Sequence, residues 1–226
     1  CVTGVQTCAL PIYISTAGVH GVGIDNVLGD TSVLRFFNDD ITTSTGDGIH
    51  IEDYEGERFV FRGNTLTNNI DDGLQMLRYT GPDAEWFIEN HVSDGNVGAG
   101  IAIEGANGEI LIANSIVNDN SSSGITLRDV NNTQDVNSTL IDNVTMTNNG
   151  NGLINDLNVG FQELNVTNST IDGNGLGLLA TSTGLGTVLE LNVVDNVSIS
   201  NNQSDAIRGV VEQGATLRFL LENDPA

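Results

Sequence analysis

Short apolar bursts alternate with polar positions along the whole chain and are separated by clusters of Gly, Asn, Asp and Ser. One burst per period ends in or near an asparagine: RFFN, FRGN, FIEN, LIAN, LIDN, NVTN, VVDN and LLEN place Asn38, Asn64, Asn90, Asn114, Asn143, Asn168, Asn196 and Asn223 at separations of 26, 26, 24, 29, 25, 28 and 27. That spacing implies a repeating unit closed by a turn of variable length. Two or three residues past these asparagines stands an apolar residue (Ile41, Leu66, Val92, Ile116, Met146, Ile171, Ile199). A second Asn or Asp often follows two residues later: Asn68, Asp94, Asn118, Asn148, Asn201. A second apolar burst comes next, introduced by glycine in GDGIHI, DDGLQM, GAGIAI, SSGITL, GNGLIN and GLGLLA, with SDAIRG as the degenerate copy.

Each period thus holds about three alternating segments. They are too short for amphipathic helices and are bounded by turn residues, so they predict strands. Strands repeated at this interval bury one face only by stacking on the next copy. The expected fold is therefore all-β: a single-stranded solenoid of parallel sheets, about eight rungs with three short strands each. An asparagine at every rung corner fits this geometry. It tolerates left-handed backbone, and its amide can bond to copies about 4.8 Å above and below.

The stretches NSIVNDNSSSGITL and NTLTNNIDDGLQM resemble the Asn-x-x-Ile-x-x-Asn-x-x-x-Gly-Ile-x-Ile rung of right-handed parallel β-helix proteins of the pectin-lyase-like superfamily. The resemblance runs from about Val33 to the C-terminus and implies the right-handed β-helix fold. It does not fix a function, because that superfamily hosts lyases, hydrolases, epimerases, tailspikes and adhesins. A leucine-rich repeat is the competing fold, since LNVTNSTI matches part of its consensus. That fold needs a Leu-x-x-Leu approach and one sheet per repeat, and the second Gly-apolar burst argues against it. No Gly-Gly-x-Gly-x-Asp run of a calcium β-roll occurs.

Residues 2–12, VTGVQTCALPI, resemble the translation of an adapter ligated to fragments for short-read sequencing. Residues 1–12 are accordingly expected to be non-native, and residues 13–226 to be a β-helix domain cut at both ends. On this reading Cys1 and Cys8 carry no disulfide or metal-site message, and no signal peptide is observable.

All seven basic residues are arginine against 30 Asp plus Glu, giving a formal charge of −23. A field of that sign repels phosphate backbones and anionic membrane surfaces. Nucleic acid is therefore excluded as a natural partner, and no apolar run approaches the length of a membrane span. An acidic, lysine-free surface suits an extracellular or cell-surface setting. The fragment itself is expected to be a monomer.

Aligning the rungs on the glycine of each Gly-apolar strand puts Asp47 over Asp72, with Asp71 beside them and His50 over Gln75 on the outward side. Ala99 and Ser123 continue the aspartate column, so acid is local to two rungs. Carboxylates one rung apart lie about 5 Å from each other. Such a pair can share a proton, act in glycoside cleavage or bind calcium through Asp47 and Asp72. The bland alternative is that Asp before Gly is good turn chemistry. Arg78 either meets a uronate carboxylate or forms a surface ion pair. The resemblance adds that pectate lyases of this fold use an arginine as base, and that polygalacturonases carry an Asp-Asp pair, matched by Asp71 and Asp72. Their later Gly-His-Gly and Arg-x-Lys are missing: the chain has no lysine, and its His-Gly at His20 precedes the acidic pair. No second histidine lies near His50 in sequence to suggest a zinc site, and His91 is expected at a solvated corner. DGNGLG reads as a rung turn, and the Asn-x-Ser/Thr sequons follow from the repeat itself.

Two functional classes remain. One is a secreted or cell-surface module that binds or presents to extracellular polysaccharide, with no cofactor required. The other is a lyase or hydrolase of an acidic, uronate-containing polysaccharide, with Asp47, Asp71, Asp72, His50 and Arg78 around a groove and calcium as its candidate ion.

Overall fold

The computed structural model describes residues 13–14, 17–27, 33–79, 84–131 and 138–222. The adapter-like segment and Asn223 lie outside the described residues. Every named element is a strand, and the strands form three eight-stranded sheets in which each pairs in parallel with the strand one lap earlier and one lap later. One lap runs Thr65–Thr67 in the first sheet, Leu74–Tyr79 in the second and Ala84–Glu89 in the third, then returns to Val92–Asp94 beside Thr65–Thr67. This is the expected coil of three strands per rung. No helix is long and apolar enough to cross a membrane among the described residues.

Strand alternation puts every second side chain inside. Ile49, Leu74, Ile101, Ile125, Leu153 and Leu178 form one such column on the second sheet, all with no exposed surface. Burying one Leu or Ile contributes about 2 kcal/mol, so a column of this length outweighs any single turn. Between the second and third sheets, Tyr54 and Tyr79 fill the interior, each in edge-on contact with Trp86. Their polar tips are satisfied: Tyr79 Oη donates to the Gly56 carbonyl and Trp86 Nε1 to that of Asn107.

Two asparagine corners divide the work. Between the third and first sheets, Asn38, Gly63, Asn90, Asn114, Asn143, Asn168 and Asp195 occupy one left-handed column, with φ between 48° and 70°. The side chains of Asn38 and Asn114 there are exposed. Asn64 falls one position later, whereas Asn196 is itself left-handed at φ 57° next to Asp195, and its Nδ2 donates to Asn168 Oδ1. The continuous ladder stands at the next corner, between the first and second sheets, in the buried Asn69, Asn96, Asn120, Asn149 and Asn174 and the half-buried Asn202. Each Nδ2 from Asn69 to Asn174 donates to the Oδ1 of the following rung at 2.8–3.2 Å. The ladder thus exists, but one corner further on and one residue after Asn68, Asn148 and Asn201, which take the left-handed position.

Counting from the left-handed corner shows which of the apolar residues past the asparagines face the core. The third residue after it points inside, which buries Ser93 and Val117 and turns Val92 and Ile116 outward; Ile116 is 44% exposed. The expectation for His91 is corrected. It lies one residue past that corner, in the inward column of Asp39, Asn64 and Ser115, and it is fully buried instead of solvated.

The glycine at the start of the second-sheet strands, replaced by Ala206 in the last rung, is there for close approach. A Cβ on Gly100 would come 2.3 Å from Val117 Cγ1, 2.8 Å from the ladder amide of Asn120 and 2.9 Å from the Gly124 carbonyl. The repeating Gly-apolar signal therefore records how tightly each rung crosses the ladder.

Candidate functional site

The turn from the ladder to the second sheet builds the polar cluster. The residue just before each glycine forms a column: His20, Asp47, Asp72, Ala99, Ser123. Its members cap one another's backbone. Asp47 N–H donates to His20 Nδ1 at 3.1 Å, Asp72 N–H to Asp47 Oδ1 at 2.9 Å and Ala99 N–H to Asp72 Oδ1 at 2.5 Å. The second oxygen of each aspartate takes a donor from the first outward side chain of its own strand, three residues on. His50 Nδ1 lies 2.9 Å from Asp47 Oδ2, and Gln75 Nε2 lies 3.0 Å from Asp72 Oδ2. Ser123 and Thr126 repeat the contact with hydroxyls at 2.5 Å. Asp-x-x-(His/Gln) is thus a module of the fold, used twice.

Its electrostatics follow from burial. Asp47 and Asp72 are 1% and 8% exposed, while Asp71 faces solvent. Desolvation, then repulsion from Asp47 and Asp71, pushes the Asp72 carboxyl up to about 6, against the lowering pull of the Ala99 N–H and Gln75. Asp71 is raised too, first by desolvation and then by Asp47. Asp47, Asp71 and Asp72 each offer an oxygen within 4.8 Å of the others, the separation expected of stacked rungs.

Arg78 stands apart. Its backbone is left-handed at φ 54°, and its guanidinium pairs with Glu52 and with Asp53, with Nε 3.0 Å from Asp53 Oδ1. The Asp53 hydrogen bond and charge raise the Arg78 pKa further. This is the surface ion-pair geometry, linked to the cluster through Glu52. Neither described cavity touches the carboxylates. One of about 10 Å³ lies inside the coil beside Tyr54, Met76 and Trp86, and one of about 250 Å³ opens beside Val193, Ile199, Ile207 and Leu221.

A family model for the right-handed β-helix region matches residues 19–203, nearly all of the described coil. The chain belongs to the right-handed β-helix family. A search of curated proteins gives no match. In this right-handed β-helix the lap length also explains a residue that local reading passes over. His20, 30 positions before His50, stacks on its ring with centroids 4.5 Å apart and planes 18° from parallel. The separation in sequence hid the pair, although the signal was present: His20 precedes Gly21 as Asp47 precedes Gly48.

Proposed function

We propose that this β-helix module binds extracellular polysaccharide along a flat outer sheet face, in a secreted or cell-surface setting. One observation carries the reading. On the third sheet the outward column runs Val60, Phe87, Leu111, Leu140, Asn165, Asn192, an apolar stripe that passes into amides. Glu85, Glu89 and Glu109 flank it, and the Arg58 guanidinium lies 5.7 Å from the Phe87 ring centroid. Sugar rings present apolar faces and hydroxyl edges, so they match a straight platform of this composition. Regular rung spacing suits a repeating chain. The charge of −23 favours neutral glycans, or acidic ones bridged by cations.

The test is retardation of the chain in gels containing neutral glucan, xylan, pectate or alginate, with and without calcium. Retardation by at least one glycan, lost in Phe87→Ala, supports the reading. Unaltered mobility in all of them overturns it.

A second reading keeps the chain as a polysaccharide lyase or hydrolase with Asp47, Asp71, Asp72, His50 and Arg78 in the chemistry. The raised Asp72 carboxyl, within 4.8 Å of two others, favours it, since such a group is a candidate general acid near pH 6. Against it, the oxygens of Asp47 and Asp72 already accept backbone and side-chain donors. Incubation with pectate and alginate, followed by assay for unsaturated ends and reducing ends, decides it. Product formation abolished by Asp72→Asn would establish the enzyme.

A further inference from the structure

Ile51 points into the coil, so His50 and Glu52 stand next to each other on the outer face of the second sheet. Asp25 is the register partner of Glu52 one lap earlier. One ligand atom from each of Asp25, His50 and Glu52 lies within 4.8 Å of the other two.

His50 is held in a defined orientation. Its Nδ1 lies 2.9 Å from Oδ2 of Asp47, whose own Oδ1 is fixed by the Asp72 N–H. A carboxylate buried to that degree selects the tautomer with the proton on Nδ1. This is the arrangement in which a carboxylate orients a metal-binding imidazole. His20 covers one face of the ring, and Gln75 occupies the next position down the column. The Nε2 lone pair then faces Glu52 Oε2 at 3.6 Å, beyond hydrogen-bond distance. Arg78 takes the other oxygen, Oε1, and so turns Oε2 toward His50. In the neutral ring, a cation placed between Nε2 and Oε2 would satisfy both atoms, where otherwise a second ring proton would stand. Their separation is close to the edge of about 3.3 Å of a tetrahedral shell with bonds of about 2.0 Å.

We propose that His50 Nε2, Glu52 and Asp25 form a surface site for a divalent cation of the zinc class, with Asp47 as the positioning residue. One imidazole and two carboxylates suit zinc or manganese, whereas calcium and magnesium prefer all-oxygen shells. The remaining coordination positions face solvent, open to water or to a sugar hydroxyl. Two neighbouring groupings serve less well. In His20, Asp47 and His50 the near-parallel rings cannot both hold one ion in their planes. The acidic trio of Asp47, Asp71 and Asp72 has no imidazole, and two of its members are occupied as backbone caps.

The experiment is isothermal titration of the tag-free chain with zinc and manganese chlorides, with calcium and magnesium as comparators. Nitrogen-detected NMR of His50 accompanies it. We expect one zinc per chain, bound at least tenfold more tightly than calcium, with the His50 Nε2 resonance shifted and Nδ1 still protonated. His50→Ala and Glu52→Gln, both on the outer surface, each weaken zinc binding at least tenfold. Asp47→Asn keeps an acceptor for the Asp72 N–H and weakens binding about 10- to 100-fold. His20→Ala changes it severalfold at most. Absence of zinc binding overturns the proposal. So does binding that survives Glu52→Gln but is lost in His20→Ala, or a calcium affinity equal to that for zinc.

Discussion

Asn96 Oδ1 accepts two hydrogen bonds from Asn69, one from its backbone N–H at 3.0 Å and one from Nδ2 at 2.8 Å, and Asn120 Oδ1 does the same for Asn96. Each buried amide therefore satisfies the rung before it and depends on the rung after it. Asn120→Ala strands the Asn96 backbone N–H inside the coil, while Asn96 Nδ2 keeps Ser93 Oγ and the Leu66 carbonyl; it lowers unfolding free energy by about 1–3 kcal/mol, the cost of one unsatisfied buried group. Asn114 sits at the exposed left-handed corner, where backbone conformation is the main demand. Asn114→Gly is expected to change stability by less than about 0.5 kcal/mol, and Asn114→Ala to cost about 1 kcal/mol in strain. Urea unfolding followed by fluorescence of the single tryptophan, Trp86, ranks the three.

Gly100→Ala drives a methyl group against Val117, Asn120 and the Gly124 carbonyl. The expected cost is about 2–3 kcal/mol, in the range for overpacked cores. Gly23→Ala is the control, because a Cβ there meets nothing nearer than His20 Cδ2 at 3.9 Å. Thermal midpoints should fall in the first variant and hold in the second.

The Asp72 carboxyl is raised in the fold from 3.8 to about 6. The folded chain therefore keeps a proton between those values that the unfolded chain has released, and the stability from this group is lost as pH rises through about 6. Asp72→Asn retains an acceptor for the Ala99 N–H without the charge facing Asp47 and Asp71. It should be more stable than the wild type by about 2 kcal/mol at pH 8, and the gap should close near pH 4. Urea midpoints at the two pH values check the sign.

His91 runs the other way. Burial lowers its pKa from 6.5 to about 4, although its contact with the Asn64 carbonyl opposes the shift. The unfolded chain binds a proton there first, so stability is lost as pH falls from 6.5 toward 4. His91→Gln can still donate to Asn64 but loses the edge-on packing against Phe61. It should be less stable at pH 7 and show a flatter loss between pH 6.5 and 4, measured by acid titration of Trp86 fluorescence.

The period, the three strands per lap, and the alignment of Asp47 over Asp72 and His50 over Gln75 were legible in the sequence. They depend on repetition, and repetition survives in the linear chain. The left-handed column was legible too, because Asn is among the few residues that tolerate that backbone. Which asparagine faces inward was not. Asn68 and Asn69, or Asn148 and Asn149, are chemically identical neighbours, and only the direction of the chain as it leaves the corner buries the second of each pair. The same pleat hid His91 and turned Ile116 outward.

By itself, then, the sequence determined that this chain coils on itself about every two dozen residues and places the aspartates of its pre-glycine column, Asp47 and Asp72, on two early rungs. Local residue chemistry and a repeat length suffice for that. The tertiary structure decided that Asp47 and Asp72 cap their neighbours' backbones, that His20 lies on His50, and that Asp25 stands beside Glu52. These contacts join residues a full lap apart, and their geometry exists only when one rung lies on the next.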